Sequence, residues 1–491
     1  MDTSRQESLR PCRVAIFGTF DIENYGDLLF PLIARAQLAE RLGEVELVAF
    51  SYHARRRPRW YMDVEPIADF AETVGRFDAV LIGGGHIIRF DKGVAYAYQP
   101  PNAGLHHPTG YWLAPALIAQ QRDIPVIWNA PGFHGEIPGW GSPLLRLVLE
   151  NCSHACVRDR ASVAALHAAF PDMTLPPVPD SAFGLPLLVD PAAPSAEFIA
   201  LRRRLDLTKP YVFIQAAQYG MEFVQRLVAR RPQEFADMQF VAAPLGRGVG
   251  DDIAHIQADA PNLIKLEDFP GPLPLAELIA NAEGVIGGSY HLLITALSFG
   301  VPFFATASLS RGKLEDFGGW PETFSLPLEG EIYPQWVRQR LGRRQVSAEV
   351  LAARAGSAAY WDEVAATLRP NCKHRGGKRS SGALNRYWMS LPITLETAEQ
   401  EAMHLQHRLT VAETRISMEA ETAAGIAARH AGHCAALEDS VAAKMEDAAR
   451  HAARADAAEA ALDQYRRSHS MRITTPLRAF NHLRLVLQGK V

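Results

Sequence analysis

The chain has 491 residues, 48% of them hydrophobic and 21% charged. That is a globular balance at a length too great for one ordinary core, so at least two domains are expected. A formal net charge of −4 excludes bulk electrostatic binding to nucleic acid, which needs concentrated Lys and Arg.

The elements alternate between short apolar runs and helical patterns. Residues 13–18 (RVAIFG) read as a buried parallel strand, and a helix follows from about Leu28 to Leu42. Strands are expected at 45–50 (VELVAF), 77–85 (FDAVLIGGG), 124–132 (IPVIWNAPG) and in HACVRDR at 154–160, with a helix over Trp112–Gln121. A Pro-rich passage at 176–194 separates this half from a restart. In the second half, strands are expected at 211–217, 238–246, 262–268, 283–289 and 301–307. Helices are expected over 223–230, 252–257, 275–282 and 291–299. Strands alternating with helices at this spacing predict parallel sheets covered on both faces.

The expected organisation is an α/β lobe at 1–190 and a second at 191–370, the latter with packing helices over 331–368. A basic Gly/Ser linker at 371–391, a helix at 392–467 and a mixed basic and apolar tail at 468–491 follow. In the long helix Leu395, Ala398, Ala402, Leu405, Leu409, Ala412 and Ile416 step by three and four. They form a coiled-coil seam suited to self-association or a partner protein, unless the helix simply lies solvated on the body. The tail suits either a peripheral membrane contact or a plain helical terminus.

Five cysteines, Cys12, Cys152, Cys156, Cys372 and Cys434, are odd in number and scattered, so no disulfide framework is expected. Cys152 and Cys156 flank His154 without a second ligand pair, and read as buried thiols and not as a metal site. With no apolar leader core and no run of about 18 apolar residues, the expected location is cytoplasmic.

Three constellations can carry chemistry, each at the carboxyl end of a predicted strand, where open parallel sheets bind ligands. The first is Asn24, Gly26 and Asp27 before the first helix: free N–H groups there attract anions, while Asp27 serves equally well as a helix cap. The second is Gly83, Gly84 and Gly85 followed by His86, suited to close backbone approach or to a plain turn. The third is Gly287, Gly288, Ser289 and His291 at a helix mouth. His291 there suits proton transfer, or merely a local hydrogen bond.

In order and spacing, NYGD (24–27), GGG (83–85), CVRDRAS (156–162), PDSAF (179–183) and SYHLLITALSFGVP (289–302) resemble the polysaccharide pyruvyl transferase family over about residues 13 to 307. The resemblance implies two Rossmann-like lobes in a GT-B-like arrangement with a cleft between them. It also implies transfer of a pyruvyl group from phosphoenolpyruvate to two hydroxyls of a glycan or lipid-linked sugar, without a cofactor. On that resemblance His291 is the general acid and Asp27 the acceptor-side base. Asn24, Gly84, Gly85, His86, Gly288 and Ser289 would contribute to substrate binding.

The chain departs from the family pattern at its cations. Ser289 stands where many members carry Arg, and the second lobe opens with Ile214-Gln215 where another Arg is common. Arg247 is the candidate replacement, with Arg311 and Lys313 as others, while Arg158-Asp159 reads as an interlobe structural pair. Two alternatives stay open: a GT-B glycosyltransferase using a nucleotide sugar, and a catalytically degenerate assembly protein of polysaccharide synthesis. FGTFDIENYGD lacks the GxGxxG fingerprint, which argues against a Rossmann dehydrogenase.

Overall fold

Apolar runs without polar alternation can only sit between two covered faces, and that is where they lie. The computed structural model describes residues 11–91, 107–246, 251, 260, 262–326, 334–370, 372, 382–422 and 427–467. Strands β1 (Cys12–Phe17), β2 (Val45–Ser51), β3 (Val64–Pro66), β4 (Ala79–Ile82) and β5 (Val126–Trp128) form a parallel sheet in the order β3-β2-β1-β4-β5. Phe17 pairs with Phe50 on one side and Ile82 on the other.

The second lobe repeats the plan. Strands β6 (Tyr211–Gln215), β7 (Gln239–Ala243), β8 (Leu263–Lys265), β9 (Gly284–Gly287), β10 (Phe303–Ala305) and β11 (Thr323–Ser325) are parallel in the order β8-β7-β6-β9-β10-β11. Ile286 pairs with Ile214, and Ile214 with Ala242.

Helix α1 (Tyr25–Leu42) joins the lobes. Its buried Leu28, Leu29 and Ile33 belong to one continuous core with Val14 and Ile16 of the first sheet and Phe213 and Val241 of the second. Burying a side chain of this kind contributes about 1.5–3 kcal/mol. At its start the Tyr25 N–H donates to Leu245 O at 2.6 Å, and the Tyr25 hydroxyl lies 2.8 Å from Thr295 Oγ1. Further helices used below are α2 (Arg160–Ala169), α3 (Tyr290–Ser298), α4 (Ala348–Leu368), α5 (Gly382–Thr422) and α6 (Ala427–Arg467).

Several expectations are corrected. HACVRDR forms no strand; His154 and Val157 make only isolated bridges to Ile127 and Pro177. β3 and β11 were not expected from the sequence, since their residues, VEP and TFS, make no apolar run. α5 begins at Gly382, earlier than the expected 392, and its Trp388 and Leu391 join the core on the outer face of the first sheet. α5 packs along α6 of the same chain, and His451 Nε2 lies 3.8 Å from Glu401 Oε2 across the pair. The helix expected at 252–257, Arg247 and the tail at 468–491 lie outside the described residues. No described helix is long and apolar enough to cross a membrane.

The cysteine expectation also changes: Cys12 and Cys372 are joined as a disulfide across 360 positions. Cys152 and Cys156 remain thiols, and burial pushes Cys156 up to about 12. With Asp78, Cys12 and Cys372 make a cluster of metal-ligating atoms, but the two sulfurs are already bonded to each other. The cluster sits at the opposite end of β1 from Gly18.

Candidate functional site

Both sheets reverse their strand order at the same place, between β1 and β4 and between β6 and β9. Crevices form at such switch points, outside the strand carboxyl ends. Here the two switch points face a common crevice of about 410 Å³.

The first wall is the start of α1. Asn24 is the helix cap residue, yet its side chain makes no capping bond. Asp27, in the first turn, accepts from the Thr19 hydroxyl and from Asn24 Nδ2 at 2.9 Å, and it lines the crevice. The structure shows Asp27 tied to side chains and not acting as the expected helix cap: both donors fall on Oδ2. Burial raises the Asp27 carboxyl, against the Thr19 bond and the nearby His291 and Arg158.

The facing wall is the mouth of α3. Gln215 Oε1 accepts the N–H groups of Gly288 and Ser289 at 2.9 and 3.0 Å, while its Nε2 donates to both carboxylate oxygens of Asp251 at 3.0 Å. This corrects the expectation for Gly288, whose backbone donor is engaged by Gln215. Gln215 thus holds the helix mouth through its side-chain amide. Ser289 lines the crevice.

His291 follows in the first turn of α3, 9% exposed and lining the crevice. Its ring meets Phe30 edge-on, centroids 5.2 Å apart. A Cβ on Gly26 would fall 1.9 Å from His291 Nδ1, so a glycine at 26 is what lets the imidazole lie against α1.

The sequence reading missed the residue behind the imidazole. Asp180 is fully buried, and its Oδ2 lies 3.5 Å from His291 Nε2 and 3.9 Å from Arg158 Nη1. Its Oδ1 accepts the Ala182 N–H at 2.9 Å. Burial opposes the Asp180 charge, but His291, Arg158 and the Ala182 N–H together hold the carboxyl below its usual range. The available signal was PDSAF, a polar residue closing a Pro-rich passage.

Arg158 supplies the buried cation. Its Nε donates to Asp159 Oδ2 at 2.9 Å, and its guanidinium stacks 4.2 Å over Tyr290. The expected interlobe pair is corrected: the Asp159 contact is local, the lobe-crossing contact is to Tyr290, and Arg158 lines the crevice. Lys313 stands on its exposed rim, and Arg89 lines it while bound to Asp91 at 2.9 and 2.7 Å. Arg311 is not a lining residue.

His86 lines the crevice 3.8 Å from Asp159 Oδ2. Burial, with Arg158 adding to it, lowers the imidazole to about 4, so it is neutral at pH 7. Of the glycines, Gly85 lines the crevice at φ +83°, where a Cβ would stand 2.9 Å from Asp27 Oδ1. Gly84 does not line it; a Cβ there would strike the Phe30 ring at 2.3 Å, so this glycine serves packing and not anion approach.

The crevice thus joins a histidine backed by a buried carboxylate, a second, raised carboxylate and a buried guanidinium. That set can deliver a proton, accept one and hold an anion.

Among solved structures the chain is similar to a UDP-GlcNAc 2-epimerase from Methanocaldococcus jannaschii at 10% identity. That match covers 68% of this chain and 94% of the other, with a TM-score of 0.45. It is also similar to the Neisseria meningitidis UDP-GlcNAc 2-epimerase bound to UDP-GlcNAc (13% identity, 72% and 93% covered, TM-score 0.43). The glycosyltransferase SnogD from Streptomyces nogalater matches at 16% identity, with 74% and 100% covered and a TM-score of 0.37. No curated protein sequence matches the chain significantly. The sequence profile described as polysaccharide pyruvyl transferase matches residues 24–310, a span that contains Asp27, His86, Arg158, Asp180 and His291, and so the chain belongs to the polysaccharide pyruvyl transferase family.

Proposed function

We propose that this chain transfers a pyruvyl group from phosphoenolpyruvate to two hydroxyls of a sugar in a cell-surface polysaccharide or its lipid-linked precursor, on the cytoplasmic side of the membrane. The observation that carries the reading is the convergence of Asp27, Arg158 and His291 on one crevice, with Asp180 buried behind the last two.

The chemistry follows from those groups. His291, with Asp180 Oδ2 3.5 Å from its Nε2, protonates the methylene carbon of the enol phosphate. One sugar hydroxyl then bonds to the central carbon, and Asp27 takes its proton; burial makes that carboxylate more basic than usual. The second hydroxyl bonds to the same carbon as the C–O bond to phosphate breaks, and its proton leaves with the phosphate. The products are the cyclic ketal and inorganic phosphate. Arg158, with Lys313 at the rim, offers positive charge to the donor's phosphate and carboxylate in place of the arginines expected at Ser289 and at the start of the second lobe.

The test is thermal stabilisation of the purified protein by phosphoenolpyruvate, compared with UDP-sugars. A shift with phosphoenolpyruvate, and turnover lost in His291→Ala with the fold intact, supports pyruvyl transfer. A shift with UDP-sugars alone would replace this reading with glycosyl transfer.

A further inference from the structure

The C-terminal helix α5 lies beyond the matched family segment, yet it touches the crevice wall. Glu396, 8% exposed, places Oε2 3.2 Å from Nε2 of His107, which is 1% exposed. His107 is the cap residue of a short turn, Pro108–Tyr111: its Nδ1 accepts the Thr109 N–H at 3.3 Å and lies 2.9 Å from the Thr109 hydroxyl. An imidazole that accepts at Nδ1 carries its proton at Nε2, the nitrogen that lies 3.2 Å from the Glu396 carboxylate. The Tyr52 hydroxyl donates to the His107 carbonyl. Pro108, Tyr111 and Tyr52 all line the crevice. One turn along α5, Glu399 Oε1 accepts the Trp140 N–H at 3.3 Å, and the Trp140 ring meets His107 edge-on with centroids 5.3 Å apart. Trp388 and Leu391 bury the same helix against the first lobe.

We infer that α5 is a structural part of the site. Glu396 is a positioning residue: it orients His107, the His107 cap fixes the Pro108–Tyr111 turn, and that turn lines the crevice beside Tyr52. On the pyruvyl-transfer reading, on which the substrate assignment rests, this wall faces the sugar acceptor. The extension therefore tunes acceptor binding and leaves the donor side alone.

The test compares full-length protein with Glu396→Ala and Glu396→Gln. Glutamine keeps an acceptor for the His107 Nε2 proton; alanine does not. Amide hydrogen exchange over residues 107–113 is expected to quicken at least tenfold in Glu396→Ala and to stay within about twofold of the parent in Glu396→Gln, with helix 196–204 unchanged in both. Unchanged exchange at 107–113 in Glu396→Ala, or equal acceleration at 196–204, overturns the inference. This arm needs no ligand, so it stands whether or not phosphoenolpyruvate is the donor. In turnover with phosphoenolpyruvate and methyl glucoside or methyl galactoside as acceptor probes, Glu396→Ala is expected to raise the acceptor KM about tenfold, with kcat and the donor KM within twofold and recovery in Glu396→Gln. A fall in kcat at constant acceptor KM overturns it.

Discussion

Asp180 Oδ2 stands 3.5 Å from His291 Nε2, a fully buried carboxylate behind an imidazole that faces the crevice. The carboxylate comes from the passage between lobes and the imidazole from the mouth of α3, so the pair exists only when both lobes are assembled. Arg158 Nη1 lies 3.9 Å from the same Asp180 oxygen, which therefore addresses both the imidazole and the guanidinium.

Asp180→Asn preserves shape and the Ala182 contact but removes the charge. It is expected to lower kcat about 10–100-fold, as the loss of a supporting partner does, with steady-state turnover as the readout. Because the folded carboxyl lies below its usual range, its contribution to stability is present above the unfolded pKa and lost as pH falls through the folded one. The stability gap between parent and Asp180→Asn is therefore expected to narrow at acid pH in denaturant melts. A gap that widens would contradict the assignment of charge.

Gly26→Ala tests the close approach of α1 to His291. The added methyl has no room while the imidazole keeps its place, so the ring must move. A displacement of about 1 Å costs on the order of 100-fold in rate, although alanine itself favours helix by about 1 kcal/mol. Turnover should fall far more than the melting temperature; a variant with parental kcat would show that the ring position is unimportant.

His86 gives a second pH dependence. Its folded pKa of about 4 lies below the ordinary imidazole value of 6.5. A neutral His86 contributes stability above pH 6.5 that is lost as pH falls towards 4, where the folded state must charge it. The side chain is about a third exposed, so solvent screening limits the effect to about 1–2 kcal/mol. His86→Gln should flatten this slope in unfolding free energy between pH 6.5 and 4, and an unchanged slope would count against burial as its cause.

The Cys12–Cys372 bond ties the start of β1 to the segment that leads into α5. A cross-link closing so long a loop restricts the unfolded chain by about 6 kcal/mol in the chain-entropy treatment. Cys372→Ser, or reduction, is expected to lower the melting temperature by a few degrees, and non-reducing peptide mapping should recover the linked pair. Recovery of free thiols at both positions would disprove the bond.

The alternation of strands and helices was readable because a buried parallel strand leaves a continuous apolar signature, as in RVAIF and VLI, and each glycine or helix-starting residue follows directly. The motif residues Asp27, His86 and His291 were readable for the same reason: strand carboxyl ends are where a doubly wound sheet opens. Short edge strands such as β3 carry too few residues to show a period.

What the linear chain determined by itself is therefore local: which segments are extended or helical, and which polar residues stand at their ends. Tertiary structure alone decided the partners. Asp180 lies behind His291, Gln215 occupies the Gly288 and Ser289 donors, Arg158 stacks on Tyr290, and Glu396 reaches His107 from a helix far along the chain. The physical reason is that these contacts join segments with no shared periodicity. Their energies depend on burial and charge that arise only once the two lobes come together and α5 packs on the first.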